Sequence, residues 1–234
     1  MSRRAKPKAS DAVRGEWLRR VEAEYRSSSI TQHLTLWLTQ VGASPDLVKA
    51  GLRIAADEIV HSDLSYRTYV AAGGTDAPRI TRESLAFSRT DEPLERDVTR
   101  FGVEIFCLGE TVAVPLFKEL REPCTVPTAR RALDRILRDE VRHRDFGWTL
   151  LGWLTEHPMW PELEALIVAE LPGWFRKLKA SYAPVGVESS AVPDEDRAWG
   201  LMPLDTYRAC VDKAFERDWL PRFAKVGIDA RRAF

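Results

Sequence analysis

An all-α fold, a four-helix bundle with a long crossover between helices two and three and extra C-terminal helices, is predicted by three features of the sequence. Apolar residues recur at helical spacing through most of the chain, while alternating strand-like runs are scarce. Two helical hairpins, each closed by a short link, are joined by one long connection. A length of 234 residues with 44% hydrophobic content suffices for one sizeable core without staples.

Caps and breakers divide the chain. The first helix is expected from about Ser10 to Val41, where Gly42 offers a left-handed stop. Ser44-Pro45 supplies a cap and a first-turn proline for the second, which continues to about Ala72. Gly73-Gly74 and the turn residues through Pro78 open the crossover, which lasts to roughly Glu92. The third helix, from about Pro93 to Leu120, carries Pro115, whose missing donor predicts a kink soon after Glu110. A compact link, Pro123 to Pro127, delivers the fourth helix from about Thr128 to His157. Residues 1–157 are thus read as the bundle and 158–234 as a C-terminal helical extension packed on the same domain. Its helices are expected from Trp160 to about Ala180 and from Leu204 to about Phe223, separated by the stretch from Tyr182 to Gly200.

Thirty-five basic residues balance thirty-five acidic ones, so the whole molecule exerts no long-range pull on nucleic acid or anionic membrane. The basic start, Arg3, Arg4, Lys6 and Lys8, precedes no apolar run of signal or membrane-spanning length. A cytoplasmic protein with a frayed N-terminus is expected. Cys107, Cys124 and Cys210 lack the close spacing of a metal knuckle or redox pair and are expected to be reduced thiols.

The pattern Asp-Glu-x-x-His occurs twice, at Asp57-Glu58-Ile59-Val60-His61 in the second helix and Asp139-Glu140-Val141-Arg142-His143 in the fourth. A spacing of three puts carboxylate and imidazole on one helix face, where both reach a single metal while a carboxylate extends to another. Two of only four histidines occupy equivalent places in this repeat. The competing reading is intrahelical contact on a wet surface. Against it stand Ile54, Leu64, Ile136 and Phe146, because burying charge in such company is costly without cations.

A dinuclear site needs one more carboxylate from each remaining helix. In the first helix the candidate is Glu24, with Ser28 and Thr31 leaving room on its face; Glu22 competes but points about 160° away. In the third the candidate is Glu110, within Cys107-Leu108-Gly109-Glu110-Thr111, with Glu104 as runner-up. Six residues set these two far apart around the helix, so at most one serves unless the helix bulges. Tyr25, Tyr66, Tyr69 and Trp148 are aromatic candidates beside the site, most of them expected in the core, while His33 and His157 are not assigned as ligands.

Glu24, Glu58, His61, Glu110, Glu140 and His143, in that order, resemble the ligand pattern of the ferritin-like di-iron carboxylate superfamily over about Asp11 to Leu154. Gly42-Ala43-Ser44-Pro45 and Gly109-Glu110-Thr111 look like a bacterial subset of it. The resemblance implies that these six residues bind metal, that the four glutamates are the catalytic carboxylates, and that the cofactor is two Fe ions. Mn or a mixed Mn/Fe pair suits the same donors. It also implies that Asp57 hydrogen-bonds His143 and that Asp139 hydrogen-bonds His61, fixing tautomer and ring orientation. The alternative for the two Asp residues is surface ion pairing with Arg53 or Arg142.

The function so implied is that of a non-haem di-iron oxygenase or oxidase, which activates dioxygen to oxidise a small-molecule substrate with the help of an electron donor. No nucleic-acid or membrane partner is expected. The chain lacks a rubredoxin-like cysteine module, which sets it apart from rubrerythrin. Met1, Met159 and Met202 fall outside the core helices, against the haem of bacterioferritin. The long crossover and the extension favour a monomer or homodimer over a storage cage. Two other classes stay open: a ferroxidase or iron-handling ferritin-like protein, and a non-catalytic metal-binding scaffold.

Overall fold

A computed structural model describes residues 8–234, so Arg3, Arg4 and Lys6 of the basic start lie outside the described residues. Among the described residues the regular structure is all helical: α1 Asp11–Gln40, α2 Pro45–Ala71, α3 Leu94–Phe101, α4 Glu110–Arg121, α5 Pro127–Thr155, α6 Trp160–Tyr182, α7 Asp194–Arg197, α8 Leu204–Ala214 and α9 Leu220–Ala224. Six segments were expected, and the excess has two sources. The third and the last expected helices are each interrupted by π-helical turns, Gly102–Gly109 and Phe215–Trp219, and the stretch before α8 holds the short α7.

Local chemistry sets the first hairpin. Ser10 Oγ accepts from the Val13 amide at 3.2 Å and Ser44 Oγ from the Leu47 amide at 3.4 Å, with Pro45 in the first turn of α2. Gly42, at φ +74°, lets the Ala43 amide turn back to the Leu38 carbonyl at 2.9 Å, closing α1. The crossover that follows α2 holds one short 3-10 turn, Glu83–Leu85.

Two apolar clusters hold the long helices together. In one, Val13 and Trp17 of α1 join Tyr69 of α2, Leu116 and Leu120 of α4, and Leu133 of α5. In the other, Leu34 and Leu38 of α1 join Leu47 and Ile54 of α2, Val98 of α3, Phe106, and Phe146 and Leu150 of α5. α1 therefore runs antiparallel to α2, and the rod from α3 through α4 antiparallel to α5, while α2 packs beside α5. The middle of each rod lies between the clusters, screened from water at both ends.

The C-terminal segments are pinned to this assembly by buried indoles. Trp17 Nε1 donates to the Trp199 carbonyl at 3.0 Å, and Trp219 Nε1 to the Cys107 carbonyl at 2.9 Å. The second bond gives a carbonyl inside the π turn a donor from far along the chain. Gly147 marks how closely α5 meets that turn, since a Cβ there would lie 2.6 Å from the Phe106 carbonyl carbon. No helix of the described residues is long and apolar enough to cross a membrane.

Candidate metal centre

Glu24 from α1, Glu58 and His61 from α2, Glu110 at the start of α4, and Glu140 and His143 from α5 converge midway along the rods, all buried. Their donor atoms form two overlapping groups, Glu24, Glu58, His61 and Glu140 in one and Glu58, Glu110, Glu140 and His143 in the other, each within 4.8 Å of one another. Glu58 and Glu140 belong to both groups. α2 and α5 contribute two donors each, because the Glu-to-His spacing keeps both side chains on the inner face.

Both imidazoles turn Nδ1 inward. His61 Nδ1 lies 3.3 Å from Glu58, 3.7 Å from Glu24 and 3.7 Å from Glu140. His143 Nδ1 lies 3.4 Å from Glu58, 3.6 Å from Glu140 and 3.9 Å from Glu110. The rings are 5.6 Å apart. Ser27, adjacent in space and not singled out by sequence, donates its hydroxyl to Glu58 Oε1 at 2.9 Å.

The outward nitrogens meet the two aspartates unequally. His61 Nε2 is 3.2 Å from Asp139, a hydrogen bond, whereas His143 Nε2 is 3.7 Å from Asp57 and has no hydrogen-bond partner among the described residues. Both aspartates also face arginines. Arg142 Nη2 reaches Asp57 and Asp139 at 2.8 Å each; Arg135 contacts Asp57 at 3.1 Å and is paired with Asp139 as well. Arg53 is not among these partners.

Concentrated negative charge in a dry interior displaces the acidities. Burial, reinforced by the Glu24 and Glu110 charges and opposed by the charge of His61 3.3 Å away, pushes Glu58 up to about 8. Burial and the charge of Glu58, opposed by a hydrogen bond with Glu110, likewise push Glu140 up to about 8. Glu110 is raised well above the carboxylate range by burial and the adjacent Glu140. Glu24 is held low despite burial, because the positive charge of His61 lies 3.7 Å from it. Burial works against a charged His61, yet Glu24 and Glu58 outweigh it and push His61 up to about 12.

The donor set fits a pair of divalent cations. Among the described residues, Glu58 Oε2, Glu140 Oε2 and both inward Nδ1 atoms are buried without a hydrogen-bond partner, a costly arrangement in a folded core. Four carboxylates balance the charge of two divalent ions, and oxygen donors with imidazole suit iron or manganese.

The other candidates fall outside the cluster. Glu104 is half-buried and paired with Lys177. Glu22 accepts from the Arg79 amide at 2.7 Å, and His33 stacks on Phe87. Tyr69 is buried and Trp148 partly so, its indole donating to Thr111 Oγ1 at 2.9 Å, but Tyr25 and Tyr66 are 38% and 42% exposed. The core expectation fails for those two because they stand on the outer faces of α1 and α2.

A cavity of about 480 Å³ opens onto Glu24, Glu58, Glu110 and Glu140. Its walls include Leu116 and Phe117 of α4 and Trp174 and Leu178 of α6, with Arg20, Tyr182 and Tyr207 also lining it. Sequence reasoning missed the contributions of α6 and α8 because neither carries a motif. Comparison of the chain with family models, curated proteins and solved structures returns no match.

Proposed function

We propose that this chain is a ferritin-like bundle that holds two metal ions, iron by preference, and uses them with dioxygen to oxidise a small organic substrate. The observation that carries the reading is the overlap of two four-residue donor groups through Glu58 and Glu140, with inward atoms of both halves left without hydrogen-bond partners. Carboxylates common to both groups would let two cations act together. A ferrous pair, when bound, supplies the electrons for two-electron reduction of dioxygen.

The chain's own residues do the rest. Glu24 with His61 and Glu110 with His143 would hold one ion each, and Glu58 and Glu140, which belong to both groups, would serve both. Asp139 accepts from His61 Nε2, which turns Nδ1 to the interior, where it would give up its proton to take a metal ion. Arg135 and Arg142 tie Asp57 to Asp139 on the outer side, so the two imidazoles are backed by one ionic network. The apolar clusters shield the carboxylates from water at both ends of the rods, which leaves the cavity as the approach to them.

Organic oxidation is favoured over iron handling by the cavity, whose volume is that of a small-molecule site and whose wall is largely apolar. The test is anaerobic loading with ferrous iron, followed by metal analysis and oxygen-uptake measurements. About two irons per chain and prompt oxygen consumption are expected. Failure to retain iron contradicts the reading, and iron held far in excess of two per chain replaces it with storage.

A further inference from the structure

One buried cation on the cavity wall has a donor to spare. Arg20 sits one helical turn before Glu24 on α1 and is only 7% exposed. Its Nε faces Glu16 at 3.3 Å, its Nη2 donates to the Gly200 carbonyl at 3.2 Å, and its guanidinium carbon lies 4.5 Å from the centre of the Trp17 ring. The remaining nitrogen, Nη1, is buried without a hydrogen-bond partner among the described residues. Guanidinium stays protonated when buried, so the unmet donor is a standing cost that an anionic acceptor would remove.

Surrounding chemistry narrows the acceptor. Glu16 serves both Arg19, at 2.8 Å, and Arg20, so Arg20 shares its one paired carboxylate with a second cation. Tyr207, whose hydroxyl lies beside Arg20, lines the same cavity and stacks on Tyr182 at 6.4 Å, offering a further polar contact. Leu116, Phe117 and Trp174 make the adjoining wall apolar. The four-residue step from Arg20 to Glu24 corresponds to about 6 Å of helix rise, so a ligand anchored at one reaches the other within a few bonds.

We propose that the cavity takes a small carboxylic acid, its carboxylate bound by Arg20 and its apolar body lying on Leu116, Phe117 and Trp174 towards the Glu24 and Glu110 carboxylates. That the bound acid is a substrate rests on the metal-centre reading; the preference for an acid does not. Arg20 acts here as the specificity determinant, because a planar guanidinium already fixed on three sides loses little freedom on binding.

The test titrates the metal-free full chain with benzoate, phenylacetate, phenylbutyrate and octanoate, each beside its primary amide and its primary amine. Tryptophan fluorescence reports binding and calorimetry checks it. At least one acid is expected to bind about ten- to a hundredfold more tightly than its amide or amine. Arg20→Gln removes that preference, and Arg20→Lys keeps part of it. Acids and amides binding alike across the series, amines binding best, or an undiminished preference in Arg20→Gln would overturn the proposal. Should Arg20→Gln fail to fold by circular dichroism, the acid-to-amide ratios of the wild type and Arg20→Lys decide. Metal content is a separate readout: two ions per chain with no acid preference overturns this inference alone, and acid preference without metal overturns the metal-centre reading alone.

Discussion

The two halves of the centre begin from the same five-residue pattern and end with differently held histidines. His61 is fixed by Asp139 at 3.2 Å, whereas His143 stands 3.7 Å from Asp57 with its Nε2 unpaired among the described residues. The terminal carboxylates divide the same way: despite burial, His61 keeps Glu24 low, while burial and Glu140 drive Glu110 well up. The cause is position. Both aspartates pair with Arg135 and Arg142, but Asp139 is fully buried and also reaches its histidine, whereas Asp57 keeps an exposed edge and stops short of His143. A repeated motif thus sets which atoms face the centre, and the packing around it sets how firmly each is aimed.

The sharpest way to break this comparison is to remove what the halves share. Glu58→Ala or Glu140→Ala is expected to abolish stoichiometric metal loading, because each carboxylate belongs to both donor groups. Glu24→Ala or Glu110→Ala, each confined to one group, is expected to leave about one ion per chain. Metal analysis after gel filtration checks both, and full loading in the Glu58 and Glu140 variants contradicts the ligand set.

Acidity offers the next largest effect. In the metal-free protein Glu58 and Glu140, raised to about 8, and His61, raised to about 12, hold protons that the unfolded chain, at its ordinary 4.5 and 6.5, gives up. Unfolding therefore releases protons between about pH 5 and 8, and stability falls as pH rises, by about 1.4 kcal/mol per pH unit for each proton. Urea denaturation at the two ends of that window measures the slope. Bound metal displaces the protons and flattens it; a metal-free chain that grows more stable with rising pH contradicts the account.

Asymmetry between the aspartates predicts a smaller, directional difference. Asp139→Asn, which loosens His61, is expected to weaken metal binding about ten- to a hundredfold in chelator competition. Asp57→Asn is expected to cost less, since His143 makes no hydrogen bond to it. Equal losses would erase the distinction drawn between the halves. The smallest effect is that of Ser27→Ala, which deletes the hydroxyl bonded to Glu58 and is expected to lower stability by about 1 kcal/mol in thermal melts.

Much of the hairpin architecture can be read from the chain because capping is local. Ser10, Ser44 and Gly42 act within a few residues of themselves, and their positions announce the ends of α1 and the start of α2. The Glu-to-His spacing is likewise a property of the helix that carries it. What cannot be read depends on distant partners. The π turn Gly102–Gly109 departs from α geometry just before Glu110 with no proline to announce it, and one of its carbonyls is met by Trp219, 112 residues away. Arg20 reads as one basic residue among many on α1 until Trp17, Glu16 and Gly200 enclose it. Ser27 is as ordinary in sequence, and only the approach of α2 gives it Glu58 as a partner.

The most direct test of the central claim is diffraction from crystals loaded with ferrous iron, recorded across the iron absorption edge. Two anomalous peaks are predicted, one enclosed by Glu24, Glu58, His61 and Glu140, the other by Glu58, Glu110, Glu140 and His143. A single peak elsewhere, or none in fully loaded crystals, would contradict the account.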